Sequence, residues 1–143
     1  TIPRARLAEM LRAIEQMKVK YQLRCPNVFH AGDGNLHPLI MFDDRSEEET
    51  RRAEAFGAEI LEACLALGGT ITGEHGVGVE KLDQMCSQFG ERERACFEGI
   101  KRAFDPSGLL NPGKAIPTLH RCAEYGRMRV SGGQMPFADL PRF

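Results

Sequence analysis

The chain has 143 residues, of which 42% are hydrophobic and 27% charged, the proportions of an ordinary globular domain rather than of a disordered or fibrous protein. Its 19 lysines and arginines stand against 20 aspartates and glutamates, which gives a formal net charge of -1. A nucleic-acid groove or a surface for anionic membranes normally carries a basic excess, so this balance argues against both. No apolar run approaches the roughly 20 residues that a membrane span requires.

The first half of the sequence predicts a helix followed by two short strands. Apolar residues recur at helical spacing through residues 4–21, namely at Leu7, Met10, Leu11, Ile14, Met17 and Tyr21. Residues 28–30 and 36–42 are apolar and predict strands, and the glycine-rich loop at residues 31–35 joins them. Pro38 lacks a backbone N–H, so it predicts an edge position or a bulge in the second strand.

The second half predicts helices separated by glycine-rich breaks. Ser46 and Glu49 have the spacing of a capping box at a helix start, and Gly68 with Gly69 stops that helix. The apolar stripe of this helix comprises Ala53, Phe56, Ile60, Leu61, Cys64 and Leu67. Residues 70–72 predict a short strand, residues 73–78 a second glycine-rich turn, and residues 79–89 and 91–104 two further helices.

This order of elements predicts an α+β fold with a small antiparallel sheet and helices packed on one face. The strands are too few for a doubly wound nucleotide-binding fold, and neither glycine run matches GxGxxG or GxxxxGK[ST]. Beyond Pro112 the sequence loses its periodicity and becomes rich in proline, glycine and arginine. We therefore expect a domain at residues 1–116 and an irregular tail at residues 117–143 that packs on a partner surface.

Chemically useful side chains concentrate at the two glycine-rich turns. His30 and His37 flank the first turn, and Glu74 and His75 lie in the second. Two imidazoles and one carboxylate form a common ligand set for Zn, Mn or Fe, and a further histidine has a pKa suited to a general base. Each histidine taken alone is also compatible with an ordinary structural role, and no spacing here matches a zinc finger or HExxH.

Other polar residues in these loops have a structural interpretation beside a functional one. Asn35 suits a turn through local backbone bonds, and Asn111 belongs to a second turn whose Lys114 could approach an anion. The residues alone also leave two other functions open. One is a metal hydrolase in which His30, His37 and Glu74 surround an activated water. The other is a non-catalytic assembly module that docks a partner subunit through these loops.

Three long motifs carry a family resemblance. They are VFHAGDGNLH at residues 28–37, GGTITGEHGVGVEK at residues 68–81 and FDPSGLLNPGK at residues 104–114. Together they resemble the C-terminal domain of FAD-linked oxidases of the vanillyl-alcohol oxidase type. Within that family, PTLHRCAEYG at residues 117–126 and LPRF at residues 140–143 resemble the flavoprotein subunits of bacterial glycolate oxidases. The resemblance implies a substrate (cap) domain of an enzyme that oxidises a 2-hydroxy acid, such as glycolate or D-lactate, by hydride transfer to FAD.

The resemblance also implies roles for individual residues. His30, His37 and Glu74 correspond to metal-binding positions in D-lactate and D-2-hydroxyglutarate dehydrogenase relatives, where Zn or Mn binds the substrate. His75 corresponds to the base that takes the hydroxyl proton. The resemblance implies cofactor contacts for three further residues, Asn35, Asn111 and Lys114.

The family binds FAD mainly in an N-terminal domain, and no phosphate-binding loop is found in this sequence. The resemblance therefore implies that the chain is part of a longer polypeptide and is inactive alone. It also implies an iron–sulfur subunit and a second flavin-type subunit as partners. The five cysteines here lack cluster spacing, so we expect any iron–sulfur centre to belong to a partner. We expect a cytoplasmic protein, either free or held at the inner membrane through its partners. We also expect the isolated piece to self-associate through the apolar face left without the FAD domain.

Overall fold

The computed structural model describes residues 1–117. The chain begins with an extended segment and a 3-10 helix at Arg4–Arg6, followed by helix α1 (Leu7–Tyr21). Strands β1 (Asn27–His30) and β2 (Asn35–Pro38) come next, and then helix α2 (Glu47–Ala66). Helices α3 (Leu82–Gln88) and α4 (Glu91–Phe104) complete the described elements. The predicted α+β architecture is confirmed.

The core lies between α1 and α2. The predicted stripes point inward, and the buried residues of the two helices are Met10, Ile14, Met17, Ala53, Phe56, Ile60 and Cys64. The rings of Tyr21 and Phe56 stack with centroids 5.2 Å apart and tie the end of α1 to the middle of α2. Burial of such a stripe from each helix is the main force that holds two short amphipathic helices together.

The sheet is a two-stranded antiparallel hairpin that rests on this core. Asn27 pairs with Pro38 and His30 with Asn35 at its two ends. Leu36 on β2 and Ile40 beyond it pack against the core cluster. One face of the hairpin therefore rests on the helices, as predicted, and the other is left for polar side chains.

The second strand is shorter than the sequence predicts, since residues 36–42 are not one continuous strand. β2 ends at Pro38, and beyond it the chain keeps only a hydrogen bond from Leu39 N to Pro26 O and an isolated bridge between Met41 and Arg24. The predicted strand at residues 70–72 is wrong as well. Thr70 donates its N–H to Thr1 O, and Ile71 donates to the side chain of Gln88, so neither N–H joins a ladder.

The start of the third helix and the capping interactions of α2 differ from the prediction. The third helix was expected from residue 79 but begins at Leu82, because Gly78 has a positive φ of 56° and the chain turns until Lys81. At the start of α2, Ser46 Oγ accepts the N–H of Glu49 as predicted. The Glu49 carboxylate, however, accepts from Asp43 N at 2.8 Å, so only half of the capping box forms.

Helix α4 contributes nothing to the core, because none of its residues is buried. Its apolar side chains face α3 and residues 70–72 across a groove of about 490 Å³ whose lining is almost entirely apolar. Within residues 1–117, no helix combines the length and apolarity of a membrane span. The predicted packing of the tail falls, apart from Pro117, outside the described residues.

Candidate functional site

The first glycine-rich turn (residues 31–34) sets two histidines on one face of the hairpin. Val28 lies opposite His37 and His30 opposite Asn35. Directly opposed residues share a face of an antiparallel sheet, so His30 and His37 are diagonal neighbours on that face. Their ring centroids are 5.3 Å apart and the rings are nearly perpendicular, at 86°. Leu36 belongs to the opposite face and packs on the core, which fixes the histidines away from it.

The second glycine-rich turn brings a carboxylate to these histidines. Glu74 Oε1 lies 3.0 Å from His37 Nε2, 3.5 Å from His75 Nε2 and 3.9 Å from His30 Nε2. The rings of His37 and His75 are 4.9 Å apart between centroids and tilted by 32°. One carboxylate oxygen thus lies among three imidazoles. We call these four residues the histidine–glutamate cluster.

Three members of the cluster have the spacing of metal ligands. His30, His37 and Glu74 each offer one donor atom, and these atoms lie within 4.8 Å of one another. Two donors at about 2.1 Å from one divalent ion lie about 3 to 4 Å apart, so a shared ion requires only small side-chain movements. Half of the Glu74 side chain and 58% of the His30 side chain are exposed, against 18% for His37. The cluster is therefore anchored at His37 and accessible to a small molecule from His30, Glu74 and His75.

Asn35 does not face solvent beside these residues. Its side chain is buried, and its Oδ1 accepts a hydrogen bond from Thr1 Oγ1 at 3.0 Å. Its own N–H donates to Asp33 Oδ1 at 2.9 Å, so the local turn bond is made by the side chain of Asp33. The described contacts of Asn35 are therefore within the protein, and its cofactor contact stays a prediction.

Asn111 and Lys114 lie on one exposed turn that returns toward the second glycine-rich turn. Asn111 adopts a positive φ of 45°, and its carbonyl accepts the N–H of Lys114 at 3.3 Å. The next residue, Ala115, donates its N–H to Gly78 O at 2.8 Å. An amide and an ammonium group are thereby presented on a loop that is hydrogen-bonded to the turn holding Glu74 and His75.

Sequence reasoning missed the part played by residues 1–3. Ile2 donates its N–H to Gly34 O, and Thr70 donates its N–H to Thr1 O, so this segment touches both glycine-rich regions. Arg4 adds a bond from its guanidinium to Gly32 O. The hydrophobic periodicity places this segment before the first helix and predicts no contacts for it. The signal in the sequence for this contact is the presence of glycines, such as Gly34, that leave space for residues 1–3.

Comparison with known proteins supports the family suggested by the motifs. Residues 1–115 match the family model of FAD linked oxidases, C-terminal domain. The chain is 57% identical over 143 residues to glycolate oxidase subunit GlcD of Escherichia coli (strain K12), covering 100% of the chain and 29% of that protein. It is 44% identical over 114 residues to glycolate oxidase subunit GlcD of Bacillus subtilis (strain 168), covering 80% of the chain and 24% of that protein.

A further relative carries a different name. The chain is 39% identical over 121 residues to mitochondrial D-lactate dehydrogenase (cytochrome) of Arabidopsis thaliana, covering 85% of the chain and 21% of that protein. The chain spans less than a third of the length of each of these three relatives. The matched range contains both glycine-rich turns and all four residues of the cluster. The chain therefore belongs to the family of FAD linked oxidases, C-terminal domain.

Proposed function

We propose that this chain is the C-terminal, substrate-handling part of a flavin-dependent 2-hydroxy acid oxidoreductase. The observation that carries the proposal is the convergence of His30, His37, Glu74 and His75 in one accessible cluster. The relatives are named for glycolate and D-lactate, which are both 2-hydroxy acids. Such a substrate presents a carboxylate and a neighbouring hydroxyl, which cations and imidazoles recognise.

The cluster divides into a binding part and a proton-accepting part. We propose that His30, His37 and Glu74 hold a divalent Zn or Mn ion, since their donor atoms lie within 4.8 Å of one another. Such an ion, when bound, supplies a Lewis acid that lowers the pKa of the substrate hydroxyl. His75 takes the hydroxyl proton on its imidazole. Glu74 Oε1 lies 3.5 Å from His75 Nε2, so the carboxylate stabilises the imidazolium that results.

FAD, when bound, supplies the acceptor for the hydride that leaves C2 of the substrate. We propose that the FAD domain of the same polypeptide binds most of the cofactor, and that Asn111 and Lys114 contact it from this chain. Their turn is exposed and connects through Ala115 to Gly78. An amide and an ammonium group suit the polar edge and the phosphates of the cofactor.

The partners of the whole protein follow from the same proposal. The Escherichia coli relative is named as a subunit of glycolate oxidase. We propose that the polypeptide containing this chain assembles with an iron–sulfur subunit and a second flavin-type subunit. We place this assembly in the cytoplasm or, through those subunits, at the inner membrane.

Replacement of His75 in the full-length polypeptide tests the function. We expect His75→Ala to lower turnover of glycolate or D-lactate by about 10²- to 10⁴-fold, the usual effect of removing a general base. Flavin absorbance after desalting should be unchanged, because the proposal assigns the cofactor contacts to other residues. Elemental analysis of the wild type and of His75→Ala should find about one Zn or Mn per chain. The metal should be lost in a third protein, His37→Ala.

A control separates this function from an assembly role. Glu54→Ala, which alters an exposed position on α2, should leave turnover, flavin and metal content unchanged. Full turnover by His75→Ala, combined with loss of the partner subunits on purification, would instead identify the turns as a docking surface. Ester hydrolysis by the zinc-loaded wild type without flavin would favour the hydrolase.

A further inference from the structure

Both glycine-rich regions are joined by the backbone of residues 1–3. Ile2 donates its N–H to Gly34 O at 3.0 Å, which ties this segment to the first turn. Thr70 donates its N–H to Thr1 O at 2.8 Å, which joins the same segment to the stretch before the second turn, and the amino group of Thr1 donates to Thr70 O at 3.1 Å. The two turns do not pair with each other through any described backbone hydrogen bond, so this segment is the described backbone link between them.

The side chains of Thr1 and Asn35 reinforce the backbone link. Thr1 Oγ1 donates to Asn35 Oδ1 at 3.0 Å. Asn35 is only 8% exposed, so this bond is shielded from competition by water. Asn35 begins β2, two residues before His37, and its orientation is therefore coupled to that of the histidine.

Gly73 packs directly on this pair. A Cβ atom on Gly73 would lie 2.2 Å from Thr1 Oγ1 and 2.7 Å from Asn35 Oδ1. No L side chain fits such a space without movement of one of these atoms. Because Glu74 follows Gly73 immediately, the pair fixes where the backbone of Glu74 lies relative to β2.

We propose that Thr1 and Asn35 are positioning residues that set the distance between His37 and Glu74. This inference rests on the proposed function of the cluster, and it assigns Asn35 a role within the protein instead of a cofactor contact. The separation of 3.0 Å between His37 Nε2 and Glu74 Oε1 is the quantity that the pair controls. Groups behind metal ligands commonly change affinity or activity by about 10- to 100-fold when they are removed.

The test compares Thr1→Val with Thr1→Ser in the full-length polypeptide. Valine keeps the shape of threonine but cannot donate to Asn35, whereas serine keeps the hydroxyl. We expect Thr1→Val to move Glu74 beyond hydrogen-bond distance of His37, about 3.5 Å, in a crystal structure. We expect kcat/KM for the 2-hydroxy acid to fall about tenfold. Flavin content should be unchanged, and Thr1→Ser should restore both measurements.

Two glycines provide a second, steric arm. Gly73→Ala should separate His37 from Glu74 in the same way, because its Cβ meets Thr1 and Asn35. Gly32→Ala is the matched control, since nothing lies within 4 Å of its added Cβ and its φ is not positive. The separation should stay as in the wild type in Gly32→Ala.

The outcomes distinguish this inference from the function on which it rests. If Thr1→Val lowers only the melting temperature and leaves both the His37–Glu74 distance and kcat/KM unchanged, the pair is merely structural and the inference is overturned. If the wild type oxidises no 2-hydroxy acid, the proposed function fails. The crystallographic distance then decides the positioning role by itself.

Discussion

Single residues set the geometry of the two turns, and Gly34 shows this most clearly. Its φ is +75°, in the left-handed region where side chains other than glycine are strained. A Cβ at this position would also lie 2.1 Å from the carbonyl oxygen of Ile2. Conformation and space therefore both require glycine here, whereas Gly32 in the same turn meets neither restriction.

We predict that Gly34→Ala destabilises the chain strongly. A left-handed non-glycine residue costs about 1–3 kcal/mol, and the clash with Ile2 adds to this cost. Urea unfolding of the 143-residue chain, followed by circular dichroism, measures the change. Gly32→Ala should stay within about 0.5 kcal/mol of the wild type. Equal stability of the two variants would show that the segment at residues 1–3 does not constrain the turn.

At the scale of elements, the turn after α4 is organised by one buried carboxylate. Asp105 Oδ1 accepts the N–H of Leu109 and Oδ2 that of Leu110, each at 2.9 Å. Lys101, one helical turn earlier, donates from its ammonium to the same carboxylate. The Lys101 bond and then these backbone N–H groups hold the pKa of Asp105 below its ordinary value of 3.8. The carboxylate thereby shapes the chain that leads into the Asn111 turn.

We predict a pH-dependent difference between the wild type and Asp105→Asn. Because the pKa of Asp105 is lower in the folded state, its charge stabilises the fold above pH 3.8 and this stabilisation disappears as the pH falls through the folded value. The variant should melt below the wild type at about pH 6, and the gap should narrow as the pH falls below 3.8.

Melting curves of both proteins across that range provide the measurement. Asp43→Asn is the control, since its partner Arg45 is largely exposed and solvent screens the pair. The difference in melting temperature between Asp43→Asn and the wild type should be smaller than the difference for Asp105→Asn. A gap for Asp105→Asn that is constant with pH would contradict the role of the carboxylate charge.

For the whole molecule, the main feature is the apolar surface that α4 leaves open. Ile100 is 60% and Phe104 83% exposed, and both line the groove between α3 and α4. Charged residues of the same helix form exposed pairs such as Arg102 with Glu98. Contiguous apolar surface of this kind marks a contact with another protein surface.

We predict that the isolated chain self-associates through this groove. Phe104→Ser should weaken association by about tenfold or more, since burial of one phenylalanine contributes roughly 2 kcal/mol. Sedimentation velocity over a concentration series measures the effect. Val19→Ser, at an exposed position on α1, is the control and should leave association unchanged. A wild type that stays monomeric at high concentration would contradict self-association through the groove.

Much of the local structure of this protein follows from short-range features of its sequence. The stripes that bury Ile14 and Phe56, the cap at Ser46 and the two glycine-rich turns all depend on residues within a few positions of each other. Hydrophobic periodicity and the residues typical of turns predict such local features well. The family motifs likewise identified every member of the histidine–glutamate cluster.

The way distant parts of the chain meet depends on tertiary packing. Glu74 reaches His37 because packing of α2 on α1 and the link through residues 1–3 bring the two turns together. The burial of Asn35 beneath Thr1 and the lack of a strand at residues 70–72 follow from the same link. Contacts between residues far apart in the chain depend on how whole elements pack, and local sequence patterns indicate which face is buried but not which element it meets.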